Sequence, residues 1–441
     1  MRVKRLRMES FRGIDEMTLE FSDSEPIVLI GVNGVGKSSI LDCLSILLSW
    51  LTTRIEYDPD GRGSFARKQD GHLVIARQSE LAEGHNFDEF DVKNGERVSR
   101  GEVTLSFGIQ KVTWALTKTL VGRSTANTHV SLSDLDRFTG EKRRQCEEDL
   151  EASVPLAIYY SVNRAVLEVS LEVLQTNWFD QTSAYENALT GAHSSFGSFF
   201  QWFRFMEDLE NETRRDDANY QKDELKAVRQ AIYSILGEGF SDLRIRRSPL
   251  HMTVKKYGQD LSINQLSDGE KCLLAMVGDL ARRLAIANPG LADPLQGEGV
   301  VLIDEIELHL HPAWQREVIP ALTRTFPNCQ FIVTTHSPQV VSQVKPEGIY
   351  LLERTPQGVI ARHPESSYGR DSNRILEDVM GVPERPQTIK DSLRRLFRLI
   401  EEGNLDSARQ LQHQLEQQIG DDEPEFARAD VLIRRKEILG R

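Results

Sequence analysis

Eight residues, Gly31-Val-Asn-Gly-Val-Gly-Lys37-Ser38, fit the pattern G-x-x-x-x-G-K-S/T at every fixed position. An apolar run, Ile27–Ile30, precedes them, and a stretch rich in Leu and Ile follows to about Trp50. Strand, glycine-rich loop and helix in that order let backbone N–H groups turn inward around phosphate oxygens, with the positive end of the helix behind them. Lys37 is expected to reach the β- and γ-phosphates and the Ser38 hydroxyl to ligate Mg²⁺. Asn33, Gly34, Gly36 and Ser39 are expected to line the same cradle. Such a loop constrains the chain to an α/β fold with ATP and Mg²⁺ as its cofactors.

The second half of that site is sought at other strand ends. Gly299-Val-Val-Leu-Ile-Asp304-Glu305 is an apolar run that ends in two carboxylates. A buried strand here delivers Asp304 at its C-terminal end, where α/β proteins bind ligands. Asp304 is expected to hold Mg²⁺, and Glu305 to polarise the attacking water as general base. Leu266-Ser267-Asp268-Gly269-Glu270 opens a helix. Ser267, Gly269 and Glu270 at that N-terminus could bind a γ-phosphate; Ser and Asp there also make an ordinary helix cap. His336, in Thr334-Thr-His-Ser-Pro338, follows the apolar strand Phe331–Val333 and is expected to sense the γ-phosphate.

The chain of 441 residues is long enough for two to three domains. Its hydrophobic share of 39% suits a folded core. The net charge of −13 excludes DNA binding by the whole surface and leaves only local basic patches. Four cysteines without a C-x-x-C pair indicate buried thiols rather than zinc or disulfides. No stretch approaches a membrane span, so a cytoplasmic protein is expected.

Periodicity divides the chain into four parts. Residues 1–160 carry strands at 2–9, 18–21 and 27–30, the phosphate loop, an antiparallel pair near 103–107 and 112–120, and a buried strand at 155–160. Residues 161–240 read as a helical insertion, with helical spacing at 196–209 and 222–236. Residues 241–388 hold strands near 243–247 and 252–256, then alternate helix and strand from 266 to 352, the sign of a parallel sheet with crossover helices. Residues 389–441 form a charged helical tail.

Together these motifs resemble the ABC-type ATPases of the SMC, RecF and OLD branch. Leu266–Glu270 looks like their signature, usually LSGGQ, with Asp268 and Glu270 as departures. The resemblance implies an ABC-type phosphate-loop ATPase head with an antiparallel β lobe and an inserted α-helical lobe. It implies a head-to-tail dimer in which the signature of one copy completes the phosphate loop of the other. Ser10-Phe-Arg12-Gly13 matches a motif whose arginine lies beside the phosphates, which carries that role to Arg12. The family's Mg²⁺-ligating glutamine falls best on Gln78. Long coiled coils, a C-terminal Toprim domain and a nuclease motif are missing. The text at Tyr159–Arg164, Asn187–Gly191, Gln265–Leu284, Val300–Pro312 and Ser366–Asn373 is similar to the PtuA-type ATPases of Septu and retron-linked anti-phage systems. That likeness implies an ATPase without a nuclease site of its own, partnered with an HNH nuclease and associated with DNA directly or through that partner. The alternative is a RecF-like repair ATPase that binds DNA when ATP-bound.

Other features carry less. His309 and His311 suit a dimer-contact loop better than a metal site, because Pro312 argues against the strand that would put both on one face. Arg2, Lys4, Arg244 and Arg246 are the better DNA-phosphate candidates among the basic clusters, since strands would hold each pair on one face. Leu393, Phe397 and Ile400 suit either a partner interface or core packing.

Overall fold

The computed structural model describes residues 1–22, 26–57, 67–69, 72–74, 83–121, 125–164, 179–191 and 196–439. Two compact units emerge, Met1–Arg370 and Asp371–Arg441. The four-part division read from the sequence sets its last boundary at 388/389 instead.

The first unit begins with strands β1 (Arg2–Phe11), β2 (Ile14–Glu20) and β3 (Ile27–Gly31), then helix α1 (Lys37–Glu56). Strands β4 (Val98–Phe107), β5 (Gln110–Val121) and β6 (Thr125–Ser131) follow, then α2 (Ser133–Glu148) and β7 (Leu156–Tyr160). Helices α3 (Phe196–Thr213) and α4 (Asp223–Leu236) lead into a small antiparallel sheet of β8 (Phe240–Arg247), β9 (Leu250–Lys256) and β10 (Gln259–Ser262). The chain then alternates: α5 (Asp268–Ala287), β11 (Gly299–Ile303), α6 (Pro312–Thr325), β12 (Cys329–Thr334), β13 (Ile349–Thr355) and β14 (Gly358–Arg362).

The core sheet has the order β14-β13-β3-β12-β11-β7. All of its neighbours pair in parallel except β13 with β14. Every residue of β7, β11 and β12 is buried, as is Ile27–Ile30 of β3. A parallel sheet covered on both faces has no solvent side, so its strands read as unbroken apolar runs rather than alternating ones. The β lobe is a five-stranded antiparallel sheet, β2-β1-β4-β5-β6. Its strand β1 alternates buried Leu6 and Met8 with partly exposed Arg5 and Arg7, the period-two pattern of a half-buried strand. Gln330 of β12 joins lobe to core. Its amide accepts from the Val3 N–H at 2.6 Å and donates to the Val3 carbonyl at 3.1 Å, so a buried amide is satisfied from both sides.

Helix α5 lies almost wholly buried. Its interior carries a charged cluster in which Asp279 accepts from Arg282 at 2.7 Å, Arg283 at 2.8 Å and the Tyr160 hydroxyl at 3.1 Å. Burial alone would raise the Asp279 carboxyl; the two guanidinium groups outweigh it and hold the pKa below its ordinary value. The aromatic stripe of α3, Phe196, Phe199 and Phe203, forms a ladder of ring contacts in the core, the packing role that its helical spacing predicts.

The second unit holds α7 (Gln387–Glu401), α8 (Leu405–Ile419) and α9 (Pro424–Leu439). Leu393, Leu396, Ile400, Ala408, Leu415, Phe426, Ala429 and Ile433 form its core, with Phe397 packed against it. The apolar positions of α7 are therefore used within the unit. Among the described residues no helix is long and apolar enough to cross a membrane.

Candidate functional site

The parallel strands β3, β12 and β11 lie side by side, with Val28 level with Val333 and Val333 level with Ile303. Their C-terminal ends therefore meet at one edge. The phosphate loop leaves β3 there, Asp304-Glu305 leaves β11, and Thr334-Thr335-His336 leaves β12. Three motifs separated by up to three hundred residues share one sheet end because the strands that carry them are neighbours and parallel.

The loop itself is set by backbone chemistry. Gly36 caps α1 with φ +115°, a conformation that disfavours any side chain. Asn33, Gly34 and Ser38 are exposed, and Ser39 is half-buried. Lys37 is only 7% exposed; its ammonium donates to the carbonyls of Gly31 at 3.0 Å and Val32 at 3.3 Å. Burial lowers the Lys37 pKa, and Asp304, Glu305 and Glu307 pull it back upward. The lysine is thus held across the loop, within electrostatic reach of all three carboxylates.

Asp304 is buried, and its Oδ1 accepts from the Thr334 hydroxyl at 2.5 Å. The same hydroxyl accepts from the Glu305 N–H at 2.7 Å. One threonine therefore orients both carboxylate residues. Glu305 adopts φ +48°, a left-handed backbone that is rare outside glycine. Its carbonyl, with that of Asp304, receives the guanidinium of Arg164. Glu307 holds the next strand end: it accepts from the Thr335 hydroxyl at 2.7 Å and from the His336 N–H at 2.5 Å. His336 itself is half-buried.

Ser267 caps α5 in a reciprocal capping box with Glu270. Glu270 accepts from the Ser267 N–H and hydroxyl, each at 2.9 Å, and pairs with Lys256 at 2.6 Å. The cap that the sequence also allows is formed, with Ser267 exposed at the helix end. Gly269 faces the loop after β11, where an added Cβ would lie 2.6 Å from the His309 carbonyl oxygen. His311 caps α6, its Nδ1 accepting from the Ala313 N–H at 3.3 Å. Among the described residues no group of His, Cys, Asp and Glu is placed to hold a metal by itself.

Arg12 binds Asp42 of α1, and its Nε donates to Asp91 at 2.8 Å. Burial would lower its pKa, but Asp42 and Asp91 raise it. Its guanidinium is engaged one turn of α1 beyond Ser38. Gln78 lies outside the described residues. Of the basic candidates, Arg244 pairs with Asp242 at 3.3 Å and Arg246 with Asp260 at 3.4 Å. Lys4 is lowered by burial and then by Arg2 and Lys111, so those three cations stand together on the β lobe. Thr334 and Arg164 lie within segments the sequence marks, but their roles and that of Glu307 are not readable there, because each acts through contacts far along the chain.

A family model described as "AAA domain, putative AbiEii toxin, Type IV TA system" matches residues 27–342, from β3 to beyond β12. The chain belongs to this AAA-domain ATPase family. It is 30% identical to the "Retron Ec83 probable ATPase" of Escherichia coli, an alignment that covers 99% of this chain and 87% of the relative. It is 28% identical to the "Retron Vc95 probable ATPase" of Vibrio cholerae serotype O1 biovar El Tor, over 91% of this chain and 83% of that protein. The Septu protein PtuA of Bacillus thuringiensis is 22% identical over 87% of this chain and 85% of its own length. Among solved structures, an SMC head bound to the C-winged helix domain of ScpA aligns over 82% of this chain and 98% of its own, at 14% identity and a TM-score of 0.47.

Proposed function

We propose that the chain is the ATP-hydrolysing regulatory subunit of an anti-phage defence complex, closing head-to-tail with a second copy on ATP and controlling an HNH nuclease. The observation that carries the chemistry is the meeting of Lys37, Asp304-Glu305 and His336 at one end of three parallel strands. Ser38, exposed on the first turn of α1, and the buried Asp304 carboxylate supply the hard oxygens that would hold Mg²⁺. That ion, when bound, would neutralise charge on the β- and γ-phosphates. The chain's own residues do the rest. Lys37 leaves the Gly31 and Val32 carbonyls to bind phosphate oxygens. Glu305 accepts a proton from the attacking water, and His336 contacts the γ-phosphate.

The bonds of the signature segment supply the argument for a second copy. Ser267 and Glu270 bond each other and Lys256, and Gly269 backs onto His309, while Lys37 bonds its own loop. Exposed Ser267 at the positive end of α5 is thereby left facing outward to meet a nucleotide carried by another copy. The likeness to retron and Septu ATPases supports the defence setting and a nuclease partner, with DNA reached directly or through that partner.

The test begins with purified chain and Mg-ATP. Turnover that falls to a small residual rate in Glu305→Gln, together with an ATP-dependent dimer trapped by that variant in light scattering, supports the reading. Expression in the native host with its neighbouring genes should then yield a copurifying nuclease whose DNA cleavage responds to ATP. A chain that purifies alone, and binds gapped DNA only with ATP, would favour a repair role.

A further inference from the structure

Arg164 ends the short 3-10 turn Val162–Arg164 that follows edge strand β7. It is 2% exposed, which is uncommon for a cation. One Nη donates to the Asp304 carbonyl and, at 3.1 Å, to the Ser161 carbonyl; the other donates to the Glu305 carbonyl at 2.5 Å. The guanidinium also contacts Cys272, which lies one turn into α5. A planar fork of donors can hold two successive carbonyls at once, which a single ammonium does only with loss of direction.

The peptide that Arg164 grips is in an unfavourable conformation. Glu305 sits at φ +48°, where a side chain is unfavourable and persists only when its surroundings fix it. The Thr334 hydroxyl accepts from the Glu305 N–H, and the Glu305 carbonyl accepts from Arg164 and, at 2.9 Å, from the Leu308 N–H of its own turn. Of these, Arg164 alone also takes the preceding carbonyl, that of Asp304, and so ties the direction in which Glu305 leaves β11 to the edge of the sheet. Burying a cation is costly, and burial does lower the Arg164 pKa. An uncharged side chain would fill the space without that cost.

We infer that Arg164 is a positioning residue for hydrolysis, fixing the left-handed backbone of Glu305 so that its carboxylate meets the attacking water. The inference rests on the hydrolytic reading of Glu305 given above. It differs from a plain packing role in what it predicts: the lost function is chemistry at Glu305 and not nucleotide binding or folding.

The experiment uses the full chain with Arg164→Lys, and with Arg164→Met as a second variant that keeps the stem without burying an unpaired charge. Steady-state turnover, affinity for a fluorescent ATP analogue and thermal melting are measured for each. The expected result is a kcat lower by about 30- to 100-fold, the scale of loss when a reacting group shifts by about 1 Å. Nucleotide affinity should stay within about threefold. In a Glu305→Gln background, Arg164→Lys should lower the residual rate no further, because both changes remove the same contribution. Turnover unchanged in both variants, or losses that multiply in the double variant, would overturn the inference while leaving the role of Glu305 intact. Absence of turnover in the unaltered chain, under conditions where it binds ATP, would overturn the hydrolytic reading and this inference with it.

Discussion

Thr334→Val keeps the side chain's volume and its β-branched shape, so β12 should form as before. What it removes is one hydroxyl with two partners. The Asp304 Oδ1 loses a donor at 2.5 Å, and the Glu305 N–H loses an acceptor at 2.7 Å. Thr334 is fully buried and Asp304 is 4% exposed, so water cannot readily replace either bond. Leaving a buried polar group unpaired costs about 1–3 kcal/mol, so two such groups cost about 2–6 kcal/mol. For the unit spanning Met1–Arg370, an unfolding entropy of about 2.1 cal/mol/K per residue converts this to a fall of about 3–8 °C in melting temperature. Turnover should fall further than stability explains, because the same hydroxyl aims Asp304 and Glu305. The assay is paired: thermal melting without nucleotide, and initial ATPase rates well below the melting range. A valine variant that melts within a degree of the parent and turns over at the parental rate would refute the account of the hydroxyl as a shared hinge.

Other outcomes follow from the same geometry. Gly269→Ala places a Cβ 2.6 Å from the His309 carbonyl oxygen, so α5 and the loop after β11 must separate by several tenths of an ångström. A cost of about 1–3 kcal/mol is expected, read as a lower urea midpoint, with a weakened ATP-dependent dimer; an unchanged midpoint would contradict the close approach. Asp279→Asn leaves Arg282 and Arg283 as buried cations without their carboxylate and should destabilise by about 3–5 kcal/mol in chemical denaturation. Because the folded Asp279 pKa is depressed, its contribution is complete above the unfolded carboxyl pKa and is lost as pH falls through the folded one. The gap between parent and Asp279→Asn should therefore be constant near neutrality and narrow below about pH 4. Leu396→Ala, at a fully buried position of the C-terminal unit, should cost about 2–5 kcal/mol in the melting of that unit and leave nucleotide affinity unchanged.

The phosphate loop and the strands around it are legible in the sequence because their constraints are local. Gly36 must be left-handed, and β3, β11 and β12 are apolar on both faces, so each declares itself within a few residues. Helix α2 is less legible: only Leu135, Phe138, Thr139 and Cys146 face inward, and its charge density hides their spacing. The inserted region is likewise clear at α3 and α4, where aromatic and aliphatic periodicity is strong. The supports of the site are hidden for another reason. Thr334 meets Asp304 thirty residues away, Glu307 meets Thr335 twenty-eight away, and Arg164 reaches Asp304 across 140 positions. No period or motif encodes such pairings, since they exist only once parallel strands lie together. The bonds of Arg12 with Asp42 and Asp91 likewise depend on how α1 and the β lobe meet.

The position of β3 in the core sheet has a consequence during synthesis. Its two hydrogen-bonded neighbours are β12 and β13, from residues 329–334 and 349–355. The segment that will cradle phosphate therefore leaves the ribosome about three hundred residues before either strand that flanks it. At about 5–20 residues per second, it waits roughly 15–60 s with both edges unpaired. Until then the loop after β3 has no sheet to fix it, and the carboxylates that would face Lys37 have no fixed place beside it. A chain that ends before β12 therefore lacks the sheet that holds its phosphate loop, however complete the loop itself.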